Sequence, residues 1–205
     1  MPIVYSDLSV EFTLWQQGFK LVCGVDEVGR GCFAGPVVAG AVLVSDECEL
    51  PEGIADSKLL KPKVRKELVD RIKEAAVAWA IGEVSVEDIN QYGIGKATQM
   101  AFVKAIKSLT HQPDQILIDA FFIEGLSKDY QHPIVHGDKM CSSIAAASII
   151  AKVYRDELME QLDNQYPGYD FAIHKGYGTK AHQSAIKLKG LSPLHRTSFN
   201  LQKFL

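Results

Sequence analysis

The segment Gln115 to Phe122, QILIDAFF, reads as a buried strand entered after Pro113, yet it carries a carboxylate, Asp119, among its apolar residues. A charged acid cannot stay in a dry core without a partner, so this strand must deliver Asp119 to a cleft, an arginine or a cation. The same conflict arises at Leu21 to Val25, an apolar run that leads directly into Asp26 and Glu27 and then into the turn Gly29-Arg30-Gly31. If these two runs are neighbours in one sheet, their acids meet at one edge. Asp138, in the connection before a long helix, can join them there.

The remaining pattern supplies the rest of such a sheet. Val37 to Val44 and Ala76 to Val86 are further β-branched or apolar runs bounded by Gly, Pro and polar residues, and Pro133 to His136 is a short strand. Lys61 to Glu74 places Val64, Leu68, Val69 and Ile72 at helical spacing with Pro62 in the first turn, which predicts an amphipathic helix. Gly95 to Leu109 predicts a second helix with Met100, Val103, Ile106 and Leu109 on one stripe. Ser142 to Gln165 predicts a long helix whose Ala145, Ala146, Ala147 and Ser148 permit close backbone packing, ended by Tyr166-Pro-Gly. The order predicts an α/β sandwich on a mixed sheet. Its 205 residues are read as one domain, with a basic C-terminal segment from about residue 171 to 205.

Composition narrows the setting. With 47% hydrophobic and 23% charged residues and no apolar run long enough to span a bilayer, a membrane role is set aside. The opening residues lack the basic and apolar regions of an export signal, and the four cysteines show no metal-binding or disulfide-framework spacing, so a cytoplasmic location with free thiols is expected. Net charge is −3, which argues mildly against a nucleic-acid partner, but the distribution is uneven. After Asp170 there is no acid, while Lys175, Lys180, Lys187, Lys189, Arg196 and Lys203 follow; a second basic stretch runs from Lys58 to Lys66 behind Asp56-Ser57. A positive face or merely a solvated helix face would both account for this.

Each acid has an ordinary reading on its own: Asp26 and Glu27 as turn residues, Asp119 as a strand-end acid paired with a lysine, Asp138 as a helix cap. Taken together, Asp26, Glu27, Asp119 and Asp138 repel one another unless divalent cations neutralise them, and an all-oxygen ligand set favours Mg²⁺ or Mn²⁺. Two such ions suit the attack of water on a phosphodiester, with Arg30 and the flanking glycines close to phosphate. Acids alone do not separate one metal-dependent polynucleotidyl transferase from another, a resolvase-like enzyme included. A non-catalytic nucleic-acid-binding module would gain nothing from the acids.

The segments GVDEVGRGCFAGPVVAGAV, DSKLL, LIDAF, GDKMCSSIAAASIIAKVYRD, HKGYGT and HRTSF, in this order, resemble the bacterial ribonuclease HII family from about Leu21 to Phe199. The resemblance implies an RNase H-like fold, a mixed five-stranded sheet flanked by helices with a helical C-terminal portion. It also implies hydrolysis of the RNA strand of RNA–DNA hybrids, and incision 5′ of ribonucleotides in duplex DNA, leaving 3′-hydroxyl and 5′-phosphate ends. By motif, Asp26, Glu27, Asp119 and Asp138 become the catalytic and metal-binding acids, with Asp26 touching both cations. Gly29, Arg30 and Gly31 become readers of the 2′-hydroxyl, and Tyr177 packs on the following sugar. Lys58 of the DSK segment and the basic tail hold phosphates without reading sequence, and Ser57 beside it becomes a substrate-binding residue. Ala120 and Gly178 stand where the family often has glycine and proline. The type HIII relatives carry an N-terminal substrate-binding domain, for which residues 1–20 leave little room. A monomer is expected; a sliding-clamp contact through Leu201-Gln-Lys-Phe-Leu competes with plain packing of the tail.

Overall fold

The computed structural model describes residues 5–205; residues 1–4, on which the absence of an export signal partly rests, lie outside it. Strands β1 (Val22–Val28), β2 (Val37–Val44) and β3 (Ala78–Val84) form an antiparallel meander. On the other side of β1, β4 (Gln115–Asp119) pairs parallel to it and β5 (Gln131–Ile134) pairs parallel to β4, giving the sheet order β3-β2-β1-β4-β5. The expected adjacency of the two acid-bearing strands is therefore realised. Every residue of β2 is buried, as in a sheet covered on both faces.

The helices are α1 (Ser9–Gln16), α2 (Pro62–Ala75), α3 (Val86–Lys107), the single turn α4 (Gly137–Met140), α5 (Ser142–Gln165), the single turn α6 (Phe171–His174) and α7 (Lys180–Lys189). α5 and α2 cover one face of the sheet and α3 the other, so two apolar layers are formed. α5 lies so close that a Cβ on Gly24 would come within 2.1 Å of the Ser143 carbonyl carbon, and one on Gly40 within 2.4 Å of the Ala147 oxygen. The run of small residues in α5 is the matching half of that approach.

Several expectations shift in detail, each for a local reason. α3 begins at Val86, capped by Ser85, whose hydroxyl accepts from the Asp88 N–H at 3.2 Å; only its second half, after the break at Gly93, corresponds to the expected helix. Its buried stripe is Ala97, Ala101, Phe102 and Ala105, with Met100, Val103, Ile106 and Leu109 packed partly buried beside it. A Cβ on Gly82 would meet the Ala101 oxygen at 2.1 Å and the Ala105 nitrogen at 2.5 Å, so α3 packs on β3 at backbone distance there. On α2, Val64 is exposed and Arg65 is buried instead, donating to the Ser57 and Leu60 carbonyls at 2.9 and 2.6 Å.

β4 stops at Asp119 rather than Phe122, because Ala120 turns to a positive φ of 73°. β5 starts at Gln131, two residues before the expected strand. The Gln131 amide organises the loop ahead of it, accepting from the Ile123 N–H at 2.7 Å and donating to the Leu126 carbonyl at 3.0 Å. α1 was not anticipated from periodicity. It supplies Glu11, fully buried, which accepts from the Ser143 N–H at 2.9 Å and the Ser143 hydroxyl at 2.6 Å and so caps α5.

The C-terminal segment folds back over the Gly-rich stretch after β1. Ala34 bridges to His195 and Cys32 to Tyr177, and the Phe204 ring lies tilted with its centroid 5.3 Å from that of Phe33, while Leu201 is buried. Among the described residues no helix is long and apolar enough to cross a membrane.

Candidate active site

The register that pairs Val25 with Ile118 brings Asp26 and Asp119 level, each one residue further along parallel strands. The carboxyl ends of adjacent parallel strands are where open α/β sheets gather ligands. Asp26 is 5% exposed; its Oδ1 accepts from the Glu27 N–H at 2.7 Å, and the Ser148 hydroxyl of α5 favours its ionised form. Burial first, then the Glu27 charge, pushes its pKa up to about 8 against the opposing effect of Ser148, and Asp119 adds to the rise. Strand alternation directs Glu27 to the opposite face, where its Oε1 lies 3.3 Å from Arg30 Nη1. Burial still raises it despite that partner.

Asp119 Oδ1 accepts from the Gly137 N–H at 2.8 Å, which ties the end of β4 to the start of α4. That turn carries Asp138, 4% exposed, raised by burial and then by the charges of Asp56 and Asp119. Lys58 reaches across to Asp138 at 3.7 Å with its side chain largely exposed, and feels the charges of Asp56, Asp26, Asp138 and Asp119 together. All four expected acids thus belong to one electrostatic neighbourhood. They are not drawn to a single point: among the described residues, no three His, Cys, Asp or Glu side chains stand close enough to hold a metal ion as they are. The donor set nevertheless suits hard divalent cations. It is all carboxylate, and in Asp26, Glu27 and Asp138 the ionised form is disfavoured by burial and neighbouring negative charge in a way that bound positive charge would reverse.

The Gly-Arg-Gly turn sits beside this edge. Gly29 has φ of 95° and Gly31 is exposed with nothing within 4 Å of where a Cβ would be. Arg30 spreads over the Phe121 ring at 5.1 Å. Tyr177 is 37% exposed, its ring 5.6 Å from Lys152 Nζ, and its backbone bridge to Cys32 joins its loop to the turn. Ser57 is placed differently from Lys58: it is buried, its hydroxyl 2.9 Å from that of Ser148, so it lies beneath Asp26 and not on the surface.

Two polar groups escaped the sequence reading. Asp56, buried and accepting from the Lys58 N–H at 3.0 Å, adds a fifth acid to the neighbourhood. Ser148 contacts Asp26 directly. A serine within the apolar run Ile144 to Ala151 of α5 was the available signal for it.

A mixed five-stranded sheet with buried acids at the carboxyl ends of its parallel strands, flanked by helices on both faces, is an RNase H-like fold. The solved ribonuclease H2 from Pyrococcus horikoshii OT3 superposes with a TM-score of 0.74 at 25% identity, covering 90% of this chain and 96% of that one. The RNase HII of the Archaeoglobus fulgidus PCNA:RNase HII complex gives 0.72 at 26%, covering 88% and 96%. Bst-RNase HIII in complex with Mn²⁺ shares the fold at 0.68 and 23%, covering 93% and 70%. The Ribonuclease HII family model matches residues 23–202, and the chain belongs to that family. A ribonuclease HII from Dehalococcoides mccartyi is 48% identical over 191 residues, 92% of this chain and 90% of its own length. The enzyme is accordingly a type 2 ribonuclease H, an endonuclease.

Proposed function

We propose that this enzyme cuts the RNA strand of RNA–DNA hybrids and incises duplex DNA on the 5′ side of embedded ribonucleotides. The products carry 3′-hydroxyl and 5′-phosphate ends, and the cellular role is removal of ribonucleotides from DNA in the cytoplasm. The observation that carries the reading is the pairing of Asp26 and Asp119 level at the sheet edge beside an exposed glycine turn. A module that only bound hybrids would have no use for buried acids with raised pKa values next to its ligand.

Asp26, Glu27, Asp119 and Asp138 would hold Mg²⁺ or Mn²⁺. Bound there, two such cations would supply Lewis acidity for the attack of water on a phosphodiester. The protein's own groups do the positioning. Ser148 and the Glu27 N–H fix the Asp26 carboxylate, the Gly137 N–H fixes that of Asp119, and Lys58 stands at the edge to meet a phosphate. Ser57 supports this arrangement through Ser148. Gly29, Arg30 and Gly31 read the 2′-hydroxyl, and Tyr177 packs on the next sugar. Binding is independent of base sequence and the enzyme acts as a monomer, one catalytic domain spanning 1–205. The Archaeoglobus protein was solved with PCNA; here Leu201 is buried and Phe204 rests on Phe33, which favours packing over a clamp contact for this tail.

Asp26→Asn tests the reading. The variant should lose cleavage in Mg²⁺ and in Mn²⁺ while binding the duplex at least as well as the parent, because a negative charge near phosphate is removed. Cleavage that survives the substitution, with an unchanged circular dichroism spectrum, would remove Asp26 from the reaction.

A further inference from the structure

Arg155 on α5 and Arg196 in the C-terminal segment are both fully buried, and no carboxylate lies within ion-pair distance of either among the described residues. Two uncompensated cations in a protein interior are costly unless every donor is used. Here the donors go to backbone carbonyls of the loop between β1 and β2 and of the Tyr177 loop. Arg155 donates from Nε to Pro36 at 2.9 Å, from Nη1 to Lys175 at 2.8 Å and from Nη2 to Ala34 at 3.1 Å. Arg196 donates from Nε and Nη2 to Gly35 at 2.9 and 2.8 Å, from Nη2 to Pro36 at 3.1 Å, and from Nη1 to Arg30 at 2.9 Å.

The last bond bears on recognition. In a planar trans peptide the C=O and the following N–H point in opposite directions. A guanidinium that draws the Arg30 carbonyl into the protein therefore turns the Gly31 N–H outward. That N–H has no acceptor among the described residues, and Gly31 is exposed with open space beside it. Arg155 stands under the same turn: a Cβ on Gly29 would lie 2.3 Å from its Nε, and its guanidinium carbon is 5.9 Å from the Tyr177 ring.

We infer that Arg196 is a positioning residue for ribonucleotide recognition, fixing the Arg30–Gly31 peptide so that the Gly31 N–H faces the 2′-hydroxyl, with Arg155 locking the Tyr177 loop to the same turn. The inference rests on the reading of the Gly-Arg-Gly turn given under Proposed function. Burial lowers the Arg196 pKa to about 10, which leaves the guanidinium charged at neutral pH. Neither arginine reaches substrate. Each acts through backbone carbonyls that no lysine could hold as a set, since an ammonium lacks the planar fork.

The test compares Arg196→Lys with the parent in EDTA, measuring Kd for a duplex with one ribonucleotide and for the same duplex in all-DNA form. The ratio of the two constants should fall by about fivefold, the loss of one hydrogen bond, with all-DNA binding and the circular dichroism spectrum unchanged. If both constants change together and the ratio survives, Arg196 is only a packing residue and the inference fails. If the parent itself binds the two duplexes equally, the reading of the turn fails, and the inference with it. Should Arg196→Lys not fold, the amide resonance of Gly31 in the parent decides: it should shift with the ribonucleotide duplex and not with the all-DNA duplex, and equal shifts overturn the inference.

Discussion

Within one turn, two glycines hold different posts. Gly29 occupies a positive φ directly over the Arg155 guanidinium, so a methyl group there meets both backbone strain and a steric clash. Gly31 meets neither within the fold; its bareness matters only to what approaches from outside. Gly29→Ala should therefore cost about 2 kcal/mol of stability by urea denaturation. Gly31→Ala should leave stability within about 0.5 kcal/mol of the parent and impair cutting at single ribonucleotides. A stable Gly29→Ala protein, or a Gly31→Ala protein that cuts normally, would contradict this division. The motif as read from sequence placed all three residues of the turn together on the 2′-hydroxyl. That a Cβ at Gly29 would face inward was not legible there, because Arg155 reaches it from 126 positions downstream.

Among the elements, α1 and α5 are joined by one side chain. Glu11 caps α5 from a distance, its Oε1 taking two donors from Ser143 while its buried Oε2 has no partner among the described residues. Burial raises its pKa, so the charge is a cost and the hydrogen bonds are the gain. Glu11→Gln should match or exceed the parent in urea midpoint, whereas Glu11→Ala should lose about 1–2 kcal/mol, the usual worth of such a cap. Equal losses in both would mean that the negative charge at the α5 N-terminus is what stabilises.

α1 escaped the sequence reading because its apolar residues face a mixed surface and make no clear stripe. The strands and α5 were legible, since β-branched runs and a band of small residues answer to one geometric need, the close approach at Gly24 and Gly40. The stripe on α3 was misplaced for the converse reason. Alanine carries little hydrophobic signal, yet it is what the contact with Gly82 demands.

Across the whole molecule, the C-terminal segment that bridges to the β1–β2 loop at Cys32 and Ala34 is held together by three imidazoles. His182 Nε2 lies 3.0 Å from His195 Nε2, His182 Nδ1 is 2.9 Å from the Tyr177 carbonyl, and His174 stacks on His182 with centroids 4.2 Å apart. His195 Nδ1 accepts from the Ser192 N–H at 2.8 Å, so its proton sits on Nε2 and His182 must receive it. Burial pulls both His182 and His195 down from 6.5 to about 4. Between those values the unfolded chain binds more protons than the folded one, so their contribution is complete above pH 6.5 and is lost as pH falls toward 4. Hydrogen exchange across that range should accelerate in residues 171–205 before it does in β1 and β2; uniform acceleration would contradict it.

The edge that holds Asp26 and Asp119 adjoins the turn proposed to select the position of the cut, and the C-terminal segment bridges to the residues just after that turn, at Cys32 and Ala34. The central claim is that the enzyme cuts where a 2′-hydroxyl is presented to that turn. A duplex bearing one ribonucleotide, incubated with Mg²⁺ or Mn²⁺, should receive a single incision 5′ to that nucleotide, with none in EDTA. Equal cutting of the all-DNA duplex, or no cutting with either metal, would contradict it.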